Sequence, residues 1–353
     1  MTHATTAAAT SETPIDLGRL ASWMDDRHIG TGPITGVKQL TGGTQNILVR
    51  FQRGKRAFIL RRPPLSPRAE SNKTMQREAR VLAALADTAV PHPALITSCD
   101  DPAILGAAFY LMDEVPGFNP TTGLPEGVRS DPAIRHRMGL ALVDALAALA
   151  AVDPEAVGLS DFGRMEGFLE RQAGRWAAYL ADCRRYQGWS GPDELGDIAG
   201  VQAWLEANCP LHAQPGIIHG DYHIGNMLYL EDGTLTAIVD WEMATLGDPL
   251  MDFGRLLASW PSNDGPQPFV MRVECLDGFP TRDELITRYR DVTKRDLSEL
   301  GWFEVLACYK LGIILEGTYA RAQSGQADMN TGLRLHAAAK GLLQRARDCI
   351  ARL

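Results

Sequence analysis

Three side chains with hard oxygen atoms stand close together in the chain: Asp221, Asn226 and Asp240. The first two belong to the stretch His219-Gly220-Asp221-Tyr222-His223-Ile224-Gly225-Asn226. An apolar run, Met227 to Leu230, leads from there to the turn Glu231-Asp232-Gly233-Thr234, and a second apolar run, Leu235 to Val239, ends at Asp240. Two apolar runs around an Asp-Gly turn read as a β-hairpin. Such a hairpin returns Asp240 to the side of Asn226. An amide oxygen and a carboxylate placed there suit Mg²⁺, a hard cation that takes oxygen ligands. Asp221 would then face an incoming hydroxyl, orient it and accept its proton. These residue types suit phosphoryl transfer, whose loose transition state asks the protein mainly to position groups and neutralise charge. His219 is expected to brace the loop by hydrogen bonding. A lone loop aspartate is more often a turn or cap residue. The combination is what points to a site.

The elements that must carry this stretch can be read outward from it. Residues from about Asp16 to Arg27 suit a short amphipathic helix. Three strand-like runs come next, Ile34 to Leu40, Asn46 to Phe51 and Arg56 to Arg61, separated by Thr41-Gly42-Gly43-Thr44 and Arg53-Gly54-Lys55. Short Gly-containing turns between such runs predict an antiparallel meander. In Ser71 to Ala86, Met75, Ala79, Leu82 and Leu85 recur at helical spacing, with Glu78 off that stripe. Two more strands are expected near Ala94 to Thr97 and Ala108 to Met112. The order is β-β-β-α-β-β, closing at Asp113 to Gly117. Beyond it the chain turns helical, over Pro132 to Ala151, Phe168 to Tyr186 and Val201 to Cys209. The hairpin block Ile217 to Trp241 comes next, then two long helices between Trp302 and Arg352. The pattern predicts an α+β, bilobal organisation: a tail over 1–14, a small β-rich N-lobe over 15–115 and a larger, mainly helical C-lobe over 116–353.

Asp221 and Asn226 have the five-residue spacing of the protein-kinase catalytic loop. The whole stretch resembles the aminoglycoside phosphotransferase and choline kinase-like family, whose signature is HGDxxxxN followed by an apolar strand and Asp. Asp240-Trp241-Glu242 falls where protein kinases carry DFG. Leu246-Gly247-Asp248-Pro249 with Asp252 is similar to that family's LGDPxxDL segment. Leu40-Thr41-Gly42-Gly43, Ile59 to Pro64 and Leu315-Glu316-Gly317-Thr318-Tyr319 resemble, more narrowly, the phosphotransferase domain joined to acyl-CoA dehydrogenases. The resemblance implies a protein-kinase-like fold and a small-molecule kinase using ATP and Mg²⁺. It implies Asp221 and His219 as the catalytic pair in the loop, and Asn226 and Asp240 as the metal ligands. It also implies a phosphate-covering loop with Gly42, Gly43, Thr44 and Asn46. Arg61 stands where the family places a phosphate-binding lysine, with Arg62 as the alternative register. Glu78 is implied as the partner of that cation, against the plain reading of a solvated helix face. Met112, Glu114 and Val115 are implied as a hinge whose backbone reads the adenine. Asp248 and Asp252 are implied as supports of the catalytic loop. Asp240 reaches the LGDP segment within a few residues, which leaves no room for a protein-kinase activation segment.

Composition narrows the remaining classes. A formal net charge of -8 argues against a nucleic-acid binder. No apolar run approaches the roughly 20 residues of a membrane span. Residues 1–14 are polar and lack the apolar core of a signal peptide. The six cysteines form no CxxC pair and suit reduced thiols in a cytoplasmic protein. No zinc spacing appears among the histidines. The oligomeric state is left open, a homodimer included. From Trp302 to Leu353 seven basic residues face four acidic ones. That balance favours a neutral or anionic acceptor, such as a hydroxyacyl-CoA or hydroxy acid, over a polycationic aminoglycoside. Two other readings stand beside it: an aminoglycoside phosphotransferase, and a pseudokinase that binds ligand as a regulator.

Overall fold

The structure is a computed structural model that describes residues 15–40, 46–65, 70–261 and 273–353. The chain divides into two compact units, residues 1–86 with 93–115, and residues 87–92 with 116–353.

The first unit opens with helix α1 (Leu17–Asp25), capped by Asp16, whose carboxylate accepts the Arg19 N–H at 2.9 Å. Strands β1 (Ile34–Leu40), β2 (Ile47–Arg53) and β3 (Arg56–Arg62) form the expected antiparallel meander. Strand β2 runs two residues past Phe51, so the turn narrows to Gly54-Lys55, with Gly54 at φ 61°. Helix α2 (Ser71–Ala84) and strands β4 (Leu95–Cys99) and β5 (Phe109–Asp113) complete a five-stranded sheet in the order β1-β2-β3-β5-β4. A four-residue helix, α3 (Pro102–Leu105), stands between β4 and β5, which corrects the expected β-β-β-α-β-β order. Its signals are local: Asp101 caps it, Pro102 occupies the first turn and Gly106 ends it at φ 83°. Register pairs Phe51 with Phe58, and their rings stack at 5.3 Å. These rings join Leu20, Trp23, Leu60, Phe109 and Leu111 in the unit's core.

The second unit contains helices α4 (Glu126–Ser130), α5 (Pro132–Ala150), α6 (Glu170–Asp182) and α7 (Ile198–Ala207), followed by strands β6 (Gly216–Ile218), β7 (Met227–Tyr229), β8 (Leu235–Ile238) and β9 (Thr245–Gly247). It ends in helices α8 (Leu250–Ser259), α9 (Arg282–Thr293), α10 (Leu300–Gln323) and α11 (Met329–Ile350). The strands form two small antiparallel pairs, β6 with β9 and β7 with β8. Helix α10 is buried along most of its length and packs on α8 and α11. Gly254 makes the α8 contact possible: a Cβ there would sit 2.6 Å from the Phe303 carbonyl oxygen. Helices α8 and α9 lie in a stretch where the sequence pattern predicts no helix. Leu250, Phe253, Leu256 and Leu257 form an apolar stripe on α8, and its polar residues Asp252, Arg255 and Ser259 are buried as well.

Candidate active site

Strand β6 delivers the chain to His219, and helices α8 and α10 hold the turn beyond it. Asp252, in the first turn of α8, is buried and accepts the His219 N–H at 2.5 Å and the Gly220 N–H at 2.9 Å. Lys310 on α10 donates to the Gly220 carbonyl at 2.9 Å. Gly220 adopts φ 85°, and a Cβ there would meet the Met243 carbonyl at 2.5 Å, so this turn requires glycine. The His219 ring is fully buried. Its Nδ1 lies 3.3 Å from the Asp221 backbone nitrogen, which assigns Nδ1 as an acceptor, and Nε2 then donates to the Val239 carbonyl at 2.9 Å. Both ring nitrogens are thus engaged inside the loop.

Asp221 emerges from this support with its side chain 43% exposed. Nε and Nη2 of Arg255, a buried residue of α8, both lie 2.9 Å from Oδ1. His223 Nε2 lies 3.4 Å from Oδ2. Burial pushes the Asp221 carboxyl up, but Arg255 and His223 outweigh it and hold its pKa well below the usual carboxylate range. Burial draws the His223 imidazole down in spite of the carboxylate beside it. His223 Nδ1 accepts the Gly225 N–H at 3.1 Å and so caps the short turn that ends at Asn226.

Asn226 turns its Nδ2 onto the Asp221 carbonyl at 3.0 Å, which leaves Oδ1 as the acceptor end of the amide. Met227 pairs with Ile238, and the Val239 N–H donates to the Asn226 carbonyl at 2.9 Å. The hairpin therefore sets Asp240 one residue beyond a backbone contact with Asn226. Asp240 adopts φ 69°, ψ 61°, a left-handed conformation that costs a non-glycine residue about 1–2 kcal/mol. Strain of this kind gathers at functional sites. Among the described residues no cluster of three or more His, Cys, Asp or Glu could cage a metal. The pair Asn226 and Asp240 still fits Mg²⁺, which keeps several waters and takes phosphate oxygens alongside one or two protein ligands.

The first unit holds the residues expected to meet a nucleotide. Register sets Arg61 opposite Tyr110 across β3 and β5. Both reach Glu78 of α2: Arg61 Nε lies 2.9 Å from Oε2, and the Tyr110 hydroxyl donates to the same oxygen at 2.8 Å. Glu78 is only 1% exposed, so the solvated-face reading is corrected. Arg62 turns elsewhere and donates to the Leu105 carbonyl at 2.7 Å, capping α3. Met112 is a buried position of β5, and Glu114 beyond it takes a two-pronged contact from Arg50 at 2.9 and 3.1 Å. Val115 closes the unit. Asn46 precedes β2, while Gly42, Gly43 and Thr44 lie outside the described residues. Within its own unit, each cluster is brought together: Arg61 with Glu78, and His219, Asp221 and Asn226 with the strand leading to Asp240. Arg255, Lys310 and His223 are not singled out by the sequence motifs. For Arg255 the available signal is its place three residues after Asp252.

The profile of the phosphotransferase enzyme family matches residues 36–285. The chain belongs to that family. Acyl-CoA dehydrogenase family member 11 of Gallus gallus is 29% identical over 327 residues, covering 90% of this chain and 40% of that protein. Across this relative and two others from mouse and rat, the chain spans 28–40% of their length. A solved Ralstonia eutropha structure, provisionally named an aminoglycoside phosphotransferase, is similar at TM-score 0.77 and 26% identity, covering 95% of this chain and 99% of that one. A thermostable aminoglycoside phosphotransferase in ternary complex with ADP and hygromycin B shares the fold at TM-score 0.57 and 15% identity, over 94% of this chain and 98% of that one. The α+β fold is the protein-kinase-like fold of these structures. Among the described residues no helix is long and apolar enough to cross a membrane.

Proposed function

We propose that this chain is a small-molecule kinase that moves the γ-phosphate of ATP, with Mg²⁺, onto a hydroxylated anionic acceptor such as a hydroxyacyl-CoA or hydroxy acid. The observation that carries this reading is the single loop and hairpin that presents an ionised Asp221, the acceptor end of Asn226 and the carboxylate of Asp240. Asp221 would orient the acceptor hydroxyl and accept its proton as the bond to phosphorus forms. Asn226 and Asp240 would hold Mg²⁺, which when bound neutralises charge on the phosphate oxygens. Arg61, fixed by Glu78, would take a nucleotide phosphate, since a guanidinium can hold phosphate oxygens through paired N–H groups. Asn46 and the segment Gly42-Gly43-Thr44 would cover the phosphates, and the backbone from Met112 to Val115 would read the base. On this reading the nucleotide-binding part is 15–115, with 116–353 carrying the chemistry and the acceptor.

The excess of basic over acidic residues from Trp302 to Leu353 supports the anionic acceptor. Around Asp221 itself, Arg255 and Lys310 stand beside a second carboxylate, Asp252. The aminoglycoside alternative is favoured by the solved relatives, one of which holds hygromycin B. Competition decides: kcat/KM is measured with Mg-ATP for hydroxyacyl-CoAs, hydroxy acids and aminoglycosides in parallel. Turnover confined to the aminoglycosides would refute the anionic acceptor. Nucleotide binding without turnover of any hydroxyl compound would make the chain a pseudokinase.

A further inference from the structure

Guanidinium–carboxylate pairs of this protein take two forms. Arg288 meets Asp144 as a fork, with Nε on Oδ1 at 2.7 Å and Nη2 on Oδ2 at 2.9 Å. Arg50 meets Glu114 the same way, one N–H to each oxygen. Arg56 on Asp113 and Arg345 on Glu304 instead aim Nε and Nη2 at one oxygen. Arg255 is of this second form: Nε donates to Oδ1 of Asp221 at 2.9 Å, and Nη2 lies 2.9 Å from the same oxygen. Oδ2 is left with the longer His223 contact at 3.4 Å, and a carboxylate oxygen has a second lone pair for another donor. The guanidinium comes from beneath: its side chain is 6% exposed, against 43% for Asp221. It cannot swing out with the carboxylate. Asp252 and Arg255 lie three apart on α8 and therefore on one face. The first fixes the backbone of His219 and Gly220, and the second fixes the Asp221 side chain.

We propose that Arg255 is a positioning residue for phosphoryl transfer, occupying Oδ1 of Asp221 so that Oδ2 alone is presented to the acceptor hydroxyl. This rests on the kinase reading above. The geometry asks for two donors on one oxygen, which a lysine ammonium in the same place meets only in part.

The test uses the full chain. Arg255→Ala should lower kcat by about 10²-fold, the scale of a misplaced reacting group. The KM for Mg-ATP should stay close to wild type. Arg255→Lys should fall between the two. Added guanidinium ion should restore part of kcat to Arg255→Ala and none to Asp221→Ala. An unchanged kcat in Arg255→Ala overturns the proposal. So does a loss that merely follows the folded fraction and shows no rescue. The contact is read separately from catalysis by the ¹⁵N–¹H signal of Arg255 Nε, which should be protected from exchange in the wild type and shifted in Asp221→Asn. An unmoved signal refutes the contact. If the signal moves but no hydroxyl compound is phosphorylated, the contact stands, and the kinase reading falls together with the role given to Arg255.

Discussion

Replacing Asp252 with Asn should loosen the loop that carries Asp221 without touching any proposed reacting group. The Asp252 carboxylate is 1% exposed and accepts two backbone N–H groups, from His219 and Gly220. Hydrogen bonds to a charged group are worth about 1.5–3 kcal/mol each, and an orphaned buried donor costs about 1–3 kcal/mol. Asn keeps one acceptor oxygen but turns an NH₂ group toward the second N–H. One bond is lost and one donor is orphaned. Burial raises the Asp252 pKa in spite of these contacts, so desolvation already offsets part of their gain. The low ends therefore apply, and the substitution should cost roughly 2.5 kcal/mol. Turnover should fall further than stability, by about 10²-fold in kcat, because Asp221 follows Gly220 directly. Thermal unfolding gives the first quantity. Single-turnover kinetics at a temperature where both proteins are folded give the second. A folded Asp252→Asn protein with wild-type kcat would refute the claim that α8 positions the catalytic loop.

Three further outcomes are expected. Arg61→Met and Glu78→Leu should each destabilise the protein by about 3–5 kcal/mol, because each leaves a buried charge uncompensated, and the double variant should cost clearly less than their sum. Additive losses in urea titrations would refute the coupling. Glu304 is buried between Arg282 and Arg345: burial raises its carboxyl pKa, but the two guanidinium groups outweigh that and hold it below the usual range. Its folded pKa is depressed, so its contribution to stability is present above the unfolded value of about 4.3 and is lost as pH falls through the folded pKa. Glu304→Gln should lower neutral-pH stability and flatten the acid slope of unfolding, and an unchanged slope would contradict the pairing. Asp240→Asn should weaken nucleotide binding in the presence of Mg²⁺ and leave metal-free binding nearly unchanged, as read by calorimetry; equal losses with and without metal would remove Asp240 from the metal site.

The parts of the molecule legible in the sequence are those built from local pattern. The strands around Gly54, the hairpin through Asp232-Gly233 and the spacing of Asp221, Asn226 and Asp240 all follow from turn chemistry and alternation within a few residues. What stayed hidden depends on contacts made far along the chain. Glu78 lies off its helix's apolar stripe, so the local pattern alone leaves it on a solvated face and only the family resemblance implies its pairing; Arg61 and Tyr110 reach it from two strands and bury it. Arg255 meets Asp221 across 34 residues, from the polar face of a helix that is buried along with its apolar stripe. Lys310 reaches Gly220 across 90 residues. Helix α9 did carry a legible signal, the capping box between Thr281 and Glu284.

The central claim is that Asp221 acts on the acceptor hydroxyl. It is tested most directly by following γ-labelled phosphate from Mg-ATP to the acceptor in the wild type and in Asp221→Asn, with nucleotide affinity measured on the same samples. The wild type should transfer label to the hydroxyl. The variant should bind nucleotide comparably while its transfer rate falls by about 10²–10⁴-fold. A variant that binds nucleotide and still transfers at the wild-type rate would contradict the account.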